Sequence, residues 1–225
     1  MLPSPTSTRF QPLRSGLINL FKYENQQFWY EHGRLLVRGN NGTGKSRVLA
    51  LQLPFLLDAE IHPSRVEPDG DPARHIAWHL TMGEYPQRTG YTWIEFGRRD
   101  EKGVEHFVTL GCGMKATKDG DNQPTRWFFV TPRRVDLDFD LVADSRPLNA
   151  EQLAARIGED CFPKNAREYR RAVDARLFSL GDERYRALMD LRRVFALVLG
   201  LDAPASRFHA KGETAAAWLA MVNDD

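Results

Sequence analysis

Eight consecutive residues, Gly39-Asn40-Asn41-Gly42-Thr43-Gly44-Lys45-Ser46, combine three glycines, a lysine and two hydroxyls in one short run. The chemistry that needs such a run is capture of a polyphosphate. Glycines let a backbone fold closely around phosphate oxygens and present N–H donors to them. The lysine would reach the β- and γ-phosphates, and the Ser46 hydroxyl would ligate Mg²⁺. Gly39-x4-Gly44-Lys45-Ser46 is the Walker A pattern, the P-loop.

Hydrolysis asks for more: an acidic residue ending an apolar strand, to hold the metal, and a group that orients water. Trp93-Ile94-Glu95 and Phe139-Asp140 match poorly. Leu219-Ala220-Met221-Val222 followed by Asp224 and Asp225 is nearer, but Asn223 interrupts it. His75, His79 and Glu84 lack the spacing of a metal site.

The elements around the motif are expected as follows. Residues 1–9 read as a loose, flexible arm. Strands are expected at Leu17–Phe21, Phe28–Tyr30 and Leu35–Arg38, separated by the polar stretches 22–27 and 31–33. The third strand runs into the glycine-rich loop. Val48, Leu49, Leu51, Leu53, Phe55, Leu56 and Leu57 then form a helical apolar run that Pro54 kinks or ends. Residues 58–76 read as a long surface loop. Strands follow at Tyr91–Phe96, His106–Met114 and Trp127–Thr131. From residue 149 the pattern turns helical. Asn149 with Gln152 and Asn165 with Glu168 resemble capping boxes, and Asp182 can cap a further helix after a break at Gly181.

Composition bounds the rest. The chain has 225 residues, 31 basic and 30 acidic, so any nucleic-acid contact must come from a local patch. Arg133-Arg134 and Arg170-Arg171 are short basic pairs, read as solvated faces. Trp78, Trp93, Trp127, Phe128 and Phe129 could stack bases but fit core strand positions better. Cys112 and Cys161, far apart and without metal-site company, read as reduced thiols. No apolar run is long enough to span a bilayer, and Met1–Arg14 has no apolar signal region, so a cytoplasmic location is expected.

With those residues in view, the chain resembles the N-terminal half of a condensin-type ATPase head, as in structural-maintenance-of-chromosomes and MukB-like proteins. The segments 16–23, 51–58, 88–96 and 166–178 are similar to the MukB-like ATPase subunit of Wadjet-type plasmid-defence systems. The resemblance covers roughly residues 10–191. It implies an α/β fold: the N-terminal lobe of an ABC-type P-loop NTPase head, with a mixed β-sheet and flanking helices. It assigns Gly39, Asn41, Gly42, Gly44, Lys45 and Ser46 to ATP phosphates and Mg²⁺. Arg74 and Arg88 become candidates for a further nucleotide or DNA contact.

The same resemblance implies partners. These are a C-terminal half-head and coiled coil absent from this chain, a second head in a homodimer, kleisin-like and winged-helix subunits, and a nuclease subunit. DNA would be held through sequence-independent contacts, with no membrane involved. ATP turnover in full-length relatives drives DNA loop extrusion. No glutamine occupies the position at which many relatives orient water; residues 177–181 stand there. Residues 192–225 depart from coiled-coil heptads and read as the tail of a truncated or frameshifted gene. Two other classes stay open: a self-contained P-loop NTPase or kinase, and a non-enzymatic remnant with a vestigial loop.

Overall fold

The computed structural model describes residues 2–66, 74–118, 120 and 123–178. One compact unit spans Met1–Leu177. The break at Gly181, the helix expected from Asp182, the boundary near residue 191, the tail 192–225 and the Asp224–Asp225 pair lie outside the described residues.

Strands β1 (Gln11–Leu20), β2 (Tyr23–Trp29), β3 (Gln87–Arg99), β4 (Glu105–Thr117) and β5 (Thr125–Thr131) form one sheet in the order β2-β1-β3-β4-β5. All four pairings are antiparallel. The expected mixed sheet is therefore corrected to an antiparallel one. Short turns join β1 to β2 and β3 to β4, and a connection that short can only reverse the chain. The coarse α/β reading holds, with helices flanking the sheet.

Helices α1 (Lys45–Leu51), α2 (Leu53–Asp58), α3 (Pro63–Val66), α4 (Ile76–Thr81) and α6 (Ala166–Leu177) cover one face. The apolar run from Val48 divides at Gln52, whose ψ of −100° leaves the helical region, and a proline stands at the start of α2. That position tolerates a residue without an N–H. Alternate residues Val108, Leu110, Cys112 and Met114 of β4 point into this core, as period-two patterning requires. Tyr169 of α6 stacks on Phe128 at 4.5 Å and donates to the Leu56 carbonyl at 2.6 Å.

The other face is covered by Val135, Phe139, Leu141 and Leu148 from the segment after β5, and by α5 (Ala150–Ile157). That segment folds into the small hairpin β6 (Val142–Ala143) and β7 (Arg146–Pro147). Asn149 and Gln152 bond reciprocally to each other's backbone N–H, a true capping box at α5. At α6, Asn165 accepts from the Glu168 N–H, while Glu168 accepts from the Lys164 N–H. Glycines on this face make room for rings: Gly16, Gly111 and Gly113 lie opposite Trp93, Phe129 and Trp127. A methyl group at any of the three would overlap the facing ring. Trp93, Phe128 and Phe129 are buried, as the core reading expects.

Three local expectations change. Residues 22–27, read as a separator, belong mostly to β2; an edge strand has no second neighbour and keeps polar side chains in water. Leu35–Arg38 is not a strand. Both sides of β1 are already taken by β2 and β3, the segment pairs with neither edge, and Leu36 is 72% exposed. The arm over residues 2–9 is held at several points. Pro5 is buried, the Pro3 carbonyl accepts from Arg134, and the Ser7 carbonyl accepts from the Arg99 N–H. No helix among the described residues is long and apolar enough to cross a membrane.

Candidate phosphate-binding site

The glycine-rich loop sits between an irregular approach, residues 35–40, and the first turn of α1. Two of its glycines take left-handed backbone: Gly42 at φ 79° and Gly44 at φ 89°. Such angles cost other L-residues roughly 1–2 kcal/mol. Around Gly42 a side chain would meet nothing within 4 Å, so glycine is demanded there by conformation alone. The loop is cross-braced from inside. The Thr43 hydroxyl donates to the Asn40 carbonyl at 2.8 Å. Lys45 Nζ donates to the carbonyls of Gly39 and Asn40, each at 2.8 Å. These are neutral acceptors, so the ammonium brings a full positive charge to the centre of the loop. Asn41, Gly42, Thr43 and Ser46 are exposed.

The loop rests on aromatic groups that no local pattern placed beside it. Phe21 packs against Gly44, and Tyr23 donates its hydroxyl to the Thr43 carbonyl at 3.2 Å. Arg47, in the first turn of α1, lies 4.5 Å over the Phe21 ring and 5.9 Å from Trp78. Arg74 lies 5.6 Å from the same Trp78 ring. A guanidinium over an aromatic face is held by the ring quadrupole, worth about 0.5–2 kcal/mol. Nearby, burial together with the positive charges of Arg47 and Arg74 pushes the His79 imidazole down to about 4. His79 is thus neutral at pH 7.

The structure brings Gly39, Asn41, Gly42, Gly44, Lys45 and Ser46 together in one exposed turn, with Arg74 linked to it through Trp78. It commits Arg88 elsewhere: the guanidinium stacks on Tyr85 at 4.1 Å and donates to Asn19 Oδ1 at 3.1 Å. Glu95 is buried and saturated by Arg14 and Arg134, so it does not serve as a metal ligand. Asp140 sits beside Arg156 at 4.0 Å. His75 caps α4 through its ring, accepting from the Trp78 N–H at 3.2 Å. Among the described residues no three His, Cys, Asp or Glu side chains gather as a metal site. Phe21, Tyr23, Arg47 and Trp78 are the site neighbours that sequence reading missed. Their one advance signal is the aromatic pair Phe21/Tyr23 at the end of the first strand.

Comparison with family models and with curated proteins finds no match to this chain.

Proposed function

We propose that this chain binds the phosphates of a nucleoside triphosphate, ATP with Mg²⁺, through Gly39–Ser46. We further propose that it is the N-terminal lobe of a condensin-type ATPase head. The observation that carries the reading is the loop itself: a Walker A sequence with Gly42 and Gly44 left-handed and Lys45 drawn to the loop's centre by two carbonyls.

The donor set fits the group. Loop N–H groups and Lys45 suit phosphate oxygens, and the Ser46 hydroxyl suits a hard divalent cation. When bound, ATP supplies the phosphoanhydride bond whose turnover drives motion in heads of this type. The chain's own residues bind and orient. Lys45 exchanges neutral carbonyl acceptors for phosphate oxygens. Gly42 and Gly44 allow the backbone to approach. Arg47 and Arg74 raise the local anion concentration. Completion of a hydrolytic site falls to a C-terminal half-head. Head dimerisation, kleisin-like, winged-helix and nuclease partners, sequence-independent DNA contacts and a cytoplasmic location belong to the same proposal. Its support is the segment resemblance, the edge strand β2 with half-exposed Trp29, and buried, unpaired thiols at Cys112 and Cys161.

Isothermal titration of the full chain with MgATP tests it. Saturable binding lost in Lys45→Ala is expected. Equal binding by the two proteins would remove the assignment.

A further inference from the structure

The β1–β2 hairpin turns through two residues, Phe21 and Lys22, between the paired Leu20 and Tyr23. Phe21 holds a left-handed φ of 53°, an unfavourable state for a bulky residue. It is kept there by its N–H, which donates to the His79 carbonyl at 2.6 Å, and by its ring, which lies against Gly44. A side chain on Gly44 would come within 3.0 Å of Phe21 Cε1 and 3.2 Å of Tyr23 Oη. The hairpin and the loop touch through that glycine.

Tyr23 is held on two sides, by Phe21 at 6.3 Å and edge-on by Phe28 at 6.1 Å between ring centres. Its hydroxyl therefore meets the Thr43 carbonyl from a fixed direction. A peptide unit is planar and trans, so its C=O and N–H point opposite ways. Holding the Thr43 carbonyl toward the hairpin aims the Gly44 N–H away from it. The Gly39 and Asn40 carbonyls are held in turn by Lys45 and Thr43. Burial raises the phenol above its ordinary range, so it remains a donor at neutral pH.

We infer that Tyr23 is a positioning residue of the phosphate loop, whose hydroxyl fixes the Thr43–Gly44 peptide with its N–H directed to the phosphate side. This rests on the phosphate-binding reading above. The hydroxyl acts on the loop backbone and therefore on any polyphosphate, whatever base it carries.

Tyr23→Phe keeps the ring and removes only the oxygen. Affinities of the full chain for MgATP and for magnesium tripolyphosphate are measured by calorimetry, beside the thermal midpoint without ligand. Both ligands should weaken by the same factor, about threefold to tenfold for one lost orienting hydrogen bond. The ligand-free midpoint should move by no more than about 2 °C. Unchanged affinity overturns the inference. So does weakening for ATP alone, which would mean contact with the nucleoside, and so does weakening that only tracks a fall in midpoint. Failure of wild type to bind either ligand overturns the phosphate reading first, and the role of Tyr23 with it.

Discussion

Two cationic regions of this molecule use the same chemistry to opposite ends. In the sheet, Arg14 and Arg134 converge on Glu95 at 3.1 and 2.7 Å, with Arg14 and Glu95 fully buried. Arg14 also reaches Asp136 at 2.9 Å and the Val135 carbonyl. In the loop, Lys45 is only partly covered and its acceptors are neutral carbonyls. The first arrangement has spent its charges on each other, and it ties β1, β3, the segment after β5 and the N-terminal arm together. The second keeps a charge whose partners can be exchanged. A buried ion pair is costly to break and adds little when compared with apolar packing. A partly covered lysine on neutral carbonyls costs little to redirect, which is what a ligand site requires.

The largest test of that contrast is Glu95→Ala, which removes the buried carboxylate shared by two guanidiniums. Denaturant unfolding should show a loss of about 3–5 kcal/mol. A loss below about 1 kcal/mol would show that water reaches the cluster and that it is no structural tie.

Next is acid. His79 has a folded value near 4 against about 6.5 unfolded, so between those pH values the unfolded chain takes up a proton that the folded one refuses. The stabilisation is complete above about pH 6.5 and is lost as pH falls toward 4, on the order of 3 kcal/mol at most. His79→Leu should flatten that part of the stability–pH curve. NMR titration of the imidazole in Arg47→Gln should show its value rise toward 6.5, since one of the opposing charges is gone.

Glycines separate the regions again. Gly16 lies under Trp93, whose ring also has the Arg14 guanidinium at 5.1 Å. Gly16→Ala forces the indole to move and should cost about 1–3 kcal/mol by denaturant unfolding. Gly42→Ala meets no neighbour and should cost only its backbone conformation, about 1 kcal/mol. Lys45→Ala should change stability least, within about 0.5 kcal/mol, because the lysine is only partly covered and its ammonium holds only two loop carbonyls.

The loop was legible because Walker A is a local pattern: spacing alone specifies two glycines, a lysine and a serine. The strands of β3, β4 and β5 were legible because Tyr91–Phe96, His106–Met114 and Trp127–Thr131 are rich in aromatic, apolar and β-branched residues. Leu35–Arg38 was misread because its composition suits a strand, while strand formation depends on a free neighbour. The polar residues of β2 misled in the reverse sense, since an edge strand is free to be hydrophilic. Phe21 and Tyr23 gave only an aromatic pair at a strand end as a signal, and Trp78 gave none. Their proximity follows from the hairpin returning beside α1 and from the Phe21 bond to α4, both products of tertiary packing. The Arg14–Glu95–Arg134 cluster was hidden for the same reason, its members being 81 and 39 residues apart in pairs.

The central claim is that Gly39–Ser46 holds a triphosphate through Lys45. Thermal unfolding of the full chain, with and without MgATP, tests it most directly. At about 100 times the dissociation constant, ligand should add roughly 2.7 kcal/mol of stability to wild type. Lys45→Ala should unfold at the wild-type temperature without ligand and gain nothing when ligand is added. Equal ligand-induced stabilisation of both proteins, or of neither, would contradict the account.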